Sequence, residues 1–235
     1  MTDVNEFGQP VGPVVPDWTE RPWPEPVRLE GRYVDVVPLT AAWFADLFAT
    51  VSGPGDGDLW TYRPIPRPAS LQQLWMHLAQ AEESDPTFAF VPKEGPVQGR
   101  AAGIASYLRI DTTTGQVEVG GVLLSKQLQR TRAATEAIHL LIAHAIDDLG
   151  YRRFEWKCDS LNEPSRRAAA RFGFTYEGRF RNHMITQGRS RDTDWFSITD
   201  TEWPAVRERH QRWLDPENFD ADGRQRRPLE RIVEA

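Results

Sequence analysis

Only one cysteine, Cys158, occurs in the 235 residues, which excludes an internal disulfide and any cysteine-based zinc cluster. Positive charge is the scarcer sign: 28 Lys and Arg stand against 34 Asp and Glu, for a formal net charge of −6. Nucleic acid is therefore not an expected partner, because phosphate contacts need clustered cations. The excess of negative charge instead suits an amine-bearing partner. No apolar run approaches the roughly 18 residues that span a bilayer, and the N-terminus is acidic and proline-rich where a secretory signal is basic and then apolar. The expected setting is the cytoplasm, with no membrane contact. The five histidines are scattered, the nearest pair being His139 and His144 on different faces of a helix, so no metal site is expected.

Proline, by contrast, is crowded into residues 1–26, with Trp18 and Trp23 among the prolines. That composition predicts an extended arm outside the core, either docked through its tryptophans or loose. Alternating apolar residues from Val27 to Val37 predict the first strand. Thr40 and Ser70 are candidate caps for helices to about Thr50 and Glu83. Between those helices lies a Gly/Asp-rich loop carrying Trp60 and Tyr62, candidates to wall a substrate channel or to pin the loop to the core. Strands are expected at Thr87–Pro92, Ala101–Ile110 and Gln116–Leu124, then a helix through Leu149 with its stop at Gly150. A strand Arg153–Cys158, a helix Glu163–Phe172 and two strands to Ile198 follow. The last expected elements are a helix, Glu202–Leu214, and a mobile charged tail. A strand, helix, strand unit closes with parallel strands, whereas the earlier hairpins are antiparallel. The fold class is therefore a single α/β domain with a mixed, mostly antiparallel sheet, divided into an arm (1–26), the domain proper (27–200) and a C-terminal helix and tail (201–235).

The chemistry is most legible where the strand Gln116–Leu124 passes through a short loop into the long helix. Such a junction aims unpaired N–H groups and the positive end of a helix dipole at one point, a cradle for a pyrophosphate, and Arg130 and Arg132 add formal charge there. Downstream, Asn162 can cap the helix that Gly173 ends, while Ser165 places a hydroxyl one turn in, where Ala would make a better helix. Phe154, Trp156 and Cys158 alternate on one strand face, so Cys158 reads as a small buried core residue.

The run Gln129-Arg130-Thr131-Arg132-Ala133-Ala134, continued by Thr135-Glu136-Ala137, resembles the acyl-CoA loop of the GNAT acetyltransferases, especially the ribosomal-protein acetyltransferase (RimJ/RimL-like) branch. Arg130 and Arg132 stand where that pattern has glycine; residues with helical dihedrals need none. Asn162-Glu163-Pro164-Ser165 with Gly173-Phe174 and Glu177-Gly178 resembles the family's second motif. Together these imply an N-acetyltransferase that moves an acetyl group from acetyl-CoA to a primary amine by direct attack. The resemblance assigns backbone groups of Val122, Leu123 and Leu124 to the thioester and Asn162 to the pantetheine arm. It makes Ser165 the acid for the leaving thiolate and Glu118 the general base, an exposed or Arg-paired Glu118 being the alternative. No metal is implied, the acceptor is a protein N-terminus, a peptide or a small amine, and a homodimer is among the assemblies the family suggests. The alternative to an enzyme is a non-catalytic acyl-CoA-binding or interaction module on the same fold.

Overall fold

The computed structural model describes residues 3–229. A two-residue hairpin, β1 (Asp3–Val4) with β2 (Pro10–Val11), stands apart from an eight-stranded sheet in the order β3-β4-β5-β6-β7-β8-β10-β9. Its strands are β3 (Leu29–Glu30), β4 (Val34–Pro38), β5 (Thr87–Pro92), β6 (Gly103–Asp111), β7 (Gln116–Leu124), β8 (Arg153–Asp159), β9 (Thr175–Thr186) and β10 (Arg189–Thr199). The helices are α1 (Phe44–Val51), α2 (Leu71–Ser84), α3 (Arg132–Ala143), α4 (Glu163–Phe172) and α5 (Trp203–Leu214). Every neighbouring pair in the sheet is antiparallel except β7 with β8. The mixed α/β sheet of the sequence reading is thus the observed fold, and the parallel pair is the one that α3 connects.

Two apolar clusters lie on opposite faces. Ala137, Ile138, Leu141 and Ile142 of α3 pack with Val117, Val119, Phe154 and Trp156 and with Trp203 and Trp213 of α5. Leu47 and Val51 of α1 and Leu74 and Leu78 of α2 pack with Val37, Ala89, Ile104 and Leu123 on the other face. Helix boundaries follow local chemistry: Ser70, Thr131 and Asn162 each accept an N–H from the third residue on, and Gly173 ends α4 at φ +93°.

Three expectations change, and one pair of alternatives is decided. Thr40 makes no side-chain cap; a 3₁₀ turn at Ala41–Trp43, closed by the Trp43 N–H on the Thr40 carbonyl, leads into α1 instead. The first strand breaks after Glu30, because the buried carboxylate of Glu136 on α3 accepts the N–H groups of Arg32, Tyr33 and Val34 at 3.0, 2.6 and 3.1 Å. Gly31 is required there, since a Cβ would lie 2.5 Å from that carboxylate. The tail is docked as far as Leu229: Phe219 packs edge-on to Trp213, bridges Gln225, and lies buried with Leu229 in the α3-side cluster. The remainder of the expected tail, 230–235, lies outside the described residues. Finally, of the two alternatives for the arm, the docked one holds at residues 18–22. Trp18 donates to Thr113 O (2.8 Å), Arg21 N–H to Thr112 O (2.9 Å), and Tyr151 hydroxyl to Pro22 O (3.0 Å).

Candidate functional site

The pairing of β7 with β8 runs from Gln116↔Arg153 to Val119↔Trp156 and stops, although both strands continue. On its other edge β7 slips register against β6 between Gly120 and Leu123, with Gly121 at φ +61°. This bulge inverts the alternation: Val117 and Val119 face α3, whereas Leu123 faces α1 and α2. The parted strands leave the Gly120–Leu124 edge, with Val122 and Leu124 partly buried and Leu123 buried, without a partner strand on the β8 side.

Past Leu124 the chain folds back tightly. Leu128 and Gln129 N–H both donate to Ser125 O, and Gln129 Nε2 donates to Leu124 O at 3.1 Å. Thr131 Oγ1 accepts Ala134 N–H at 3.1 Å, while Arg132 and Ala133, first in α3, have no intrahelical acceptor for theirs. Two expectations about the arginines are corrected. Arg130 is not helical: its φ of +62° puts it in the left-handed region, where a Cβ meets the following carbonyl. Its side chain is exposed. Arg132 is helical, but its guanidinium is committed elsewhere, forked onto Glu94 at 2.5 and 2.6 Å and lying over the rings of Tyr33 and Phe219.

On the α3 face, Asn162 Oδ1 accepts Ser165 N–H at 3.2 Å, and Ser165 Oγ accepts the indole N–H of Trp156 at 3.0 Å. The Ser165 oxygen is therefore held over β8, and its own proton points to the sulfur of Cys158, from which an incoming acceptor would have to draw it. Cys158 is buried beside it, and burial pushes its thiol up to about 11, which suits a packed thiol and not a nucleophile.

Glu118 lies on the opposite face. Its buried carboxylate receives Arg109 Nη1 at 2.7 Å and Lys157 Nζ at 3.0 Å; Lys157 also contacts Glu155 at 2.7 Å and sits 3.7 Å from the Trp195 ring centroid. Trp195 leads to Phe180 (4.6 Å between centroids) and His183 (6.1 Å) on the β9 bulge. Ionic and aromatic side chains thus cover this half of the face, where the α1–α2 cluster does not reach. Lys157 was missed in the sequence; its signal was the charged alternation Glu155, Lys157, Asp159 in a central strand.

The 57–64 loop closes the same side. Trp60 does not wall a channel: it is 2% exposed, and its indole N–H donates to Val51 O at 2.8 Å, so it pins the loop. Tyr62 reaches across to donate to Leu161 O at 2.9 Å, next to the Asn162 cap. Arg63, unmarked by any motif, donates to Gly121 O at 2.6 Å on the bulge itself. Among the described residues no cluster of His, Cys, Asp or Glu could hold a metal ion, and no helix is long and apolar enough to cross a membrane.

Known proteins share this fold. Residues 35–175, more than half of the chain, match the acetyltransferase (GNAT) domain family. A crystal structure of a GCN5-related N-acetyltransferase from Brucella melitensis superposes with a TM-score of 0.89 at 42% identity, covering 93% of this chain and 99% of that one. A GNAT-family structure from Chromobacterium violaceum ATCC 12472 gives 0.74 at 35% identity, over 84% of this chain and 98% of the other. YdaF of Bacillus subtilis (strain 168), whose name proposes a ribosomal N-acetyltransferase, is 28% identical over 105 residues; the match spans 45% of this chain and 57% of that relative.

Proposed function

The chain belongs to the GNAT acetyltransferase family, and from that premise we propose that it transfers an acetyl group from acetyl-CoA directly to a primary amine. The observation that carries this reading is the parting of β7 from β8 after Val119↔Trp156, with the open first N–H groups of α3 following the same strand. A slot between strands suits a thin pantetheine chain. N–H groups at a helix start suit its pyrophosphate, with Arg130 the exposed cation beside them. The acyl donor supplies an activated carbonyl; everything else falls to the protein.

In this reading the Gly120–Leu124 edge orients the thioester and polarises its carbonyl through backbone donors freed by the bulge. Glu118, on the α1–α2 face, takes the proton that the acceptor ammonium must lose before attack, and Arg109 and Lys157 fix its direction. Ser165, on the α3 face, gives a proton to the departing thiolate, its oxygen steadied by Trp156. The base and the acid then approach the cleft from opposite faces of the sheet, as direct transfer through a gap demands. Tyr62 and the ring group of Phe180, His183 and Trp195 border the acceptor side.

The Arg132–Glu94 pair favours a second reading, a binding module without chemistry, because it removes one cation from the pyrophosphate cradle. Acetyl-CoA-dependent thiol release with a broad amine panel separates the two. Acceptor-dependent release is expected, together with stabilisation of about 2.7 kcal/mol at a hundredfold excess of acetyl-CoA over its dissociation constant. Stabilisation without release would leave the module, and neither would remove both readings.

A further inference from the structure

We propose that Arg63 forms an anion-recognition point in the acceptor half of the cleft, so that the acceptor is an amine carrying a carboxylate: a free amino acid, or a peptide whose first residues are acidic. This rests on the acetyltransferase reading above and names its substrate class.

The arrangement of Arg63 is otherwise costly. Its guanidinium donates through Nη1 to two backbone carbonyls, Gly121 O at 2.6 Å and Val122 O at 3.4 Å, and faces the Trp60 ring at 5.6 Å. Among the described residues no carboxylate pairs with it, and its Nε is buried without an acceptor. Several other arginines of this domain pair with carboxylates, Arg132 with Glu94, Arg153 with Glu155 and Glu177, Arg166 and Arg179 with the buried Asp194, whereas half-buried Arg67, which donates to Ser52 O at 2.7 Å, shares with Arg63 a backbone carbonyl as its acceptor but lies away from the bulge. Desolvation, with no carboxylate opposing it, lowers the Arg63 pKa to about 10. A guanidinium left with carbonyl dipoles alone keeps unspent capacity for an anion, and its fork matches a carboxylate better than any other side chain does.

Position selects the anion. Gly121 is the bulge residue where β7 leaves β8, so Arg63 stands at the reacting end of the cleft and not at the α3 start where a pyrophosphate would lie. Gly120, its neighbour, would bring a Cβ within 2.9 Å of the Glu118 carboxylate. Arg63 and Glu118 therefore flank two adjacent residues, the cation arriving from the loop and the base from the strand. An acceptor with its amine toward Glu118 has its near substituent toward Arg63. The loop is fixed in advance by the Trp60 anchor, by Tyr62 on Leu161 O, and by Gln187 Nε2 donating to Arg63 O at 2.9 Å. Little ordering is left for binding to cost.

The test uses matched acceptors that differ only in the carboxylate: free amino acids against their carboxamides, and short peptides beginning with Asp or Glu against those beginning with Asn or Gln. The full-length protein should prefer the carboxylate member by tenfold or more in kcat/KM, and the arm showing the preference identifies the source. In Arg63→Gln that ratio should fall to near one, chiefly through KM, with acetyl-CoA affinity by calorimetry unchanged; Arg63→Lys should keep part of it. Should Arg63→Gln melt below the assay temperature, calorimetric binding of the paired acceptors to the wild-type protein saturated with CoA gives the same ratio without turnover. Equal affinities for both members, or an unchanged ratio in Arg63→Gln, overturns the proposal. Absence of acetyl-CoA binding by the wild-type protein would instead overturn the enzymatic reading beneath it.

Discussion

The two faces of the central sheet are built to different rules. Behind β7 and β8 the face is sealed by α3, α4 and α5, and its buried Glu136, His139 and His210 are structural. In front, α1 and α2 cover β4, β5 and the Ile104 and Leu123 ends of β6 and β7; around Glu118 the surface is a lattice of Arg109, Lys157, Glu155 and Trp195 beside a pinned loop. The sealed face fixes geometry through apolar area and holds the carboxylate of Glu136 on backbone N–H groups. The open one holds charge in close pairs, and there a group without its partner, such as Arg63, stands out. Stability should therefore respond chiefly to the first face, Ser165 being its one residue with a proposed part in turnover, and turnover chiefly to the second.

Acid should break the sealed face first. His139 and His210 lie with ring centroids 5.4 Å apart beneath Trp203, His210 Nε2 donates to Phe172 O at 3.0 Å, and the remaining Nδ1 of each is buried without a partner. Burial lowers their pKa values to about 4 and about 3. Both folded values lie below the unfolded one, near 6.5, so the stability these neutral rings carry is complete above pH 6.5 and is lost as pH falls toward the folded values. Each pKa unit is worth about 1.4 kcal/mol, so the loss reaches several kcal/mol by the foot of that window. His77, lowered by burial and by Arg63, adds in the same direction. Urea unfolding at pH 7.5, 6.0 and 4.5 should give steadily falling stability, with a flatter slope when both His139 and His210 are replaced by Gln. A flat wild-type profile would contradict the burial argument.

The open face should answer in rate. Glu118→Gln keeps the shape of the side chain and leaves Lys157 with Glu155, so the fold should be nearly unchanged. As the base, its loss should lower kcat by about 10²- to 10⁴-fold with acetyl-CoA affinity intact. A rate loss that merely follows a lowered melting temperature would make Glu118 a structural member of the ionic lattice.

What could be read from the sequence divides along the same line. The sealed face announced itself: Ile138, Leu141 and Ile142 at helical spacing, Asn162 and Gly173 at the two ends of α4, and Phe154, Trp156 and Cys158 alternating in β8 all follow from local periodicity and capping. The open face did not, because its contacts join distant segments. Arg63 meets Gly121 across 58 residues, and nothing near Arg63 in the chain marks it. Trp60 and Tyr62 sit two apart in one loop, yet one is a buried anchor and the other a bridge to Leu161. Phe219 and Leu229 carried no periodic signal, so their burial was invisible. The cradle falls between: its motif was legible, but side-chain direction sent Arg132 to Glu94, and backbone torsion set Arg130 apart.

That torsion gives the smallest and most local test. A non-glycine residue in the left-handed region costs about 1–2 kcal/mol, whereas glycine there pays only a larger loss of unfolded-chain freedom, about 0.5–1 kcal/mol. Arg130→Gly should therefore raise the stability of the ligand-free protein by somewhat under ~1 kcal/mol in urea unfolding. As the exposed cation beside the first N–H groups of α3, Arg130 should also strengthen phosphate binding, since Arg132 is taken by Glu94. The same variant should then bind acetyl-CoA more weakly, several-fold by calorimetry, with the loss shrinking as salt is raised. Arg130→Lys separates the two effects, keeping the charge and the strain, and should leave both measurements close to wild type. A gain in stability with unaltered affinity would leave the cradle to its backbone N–H groups alone; lower stability would mean that the left-handed turn is held by contacts of the Arg130 side chain.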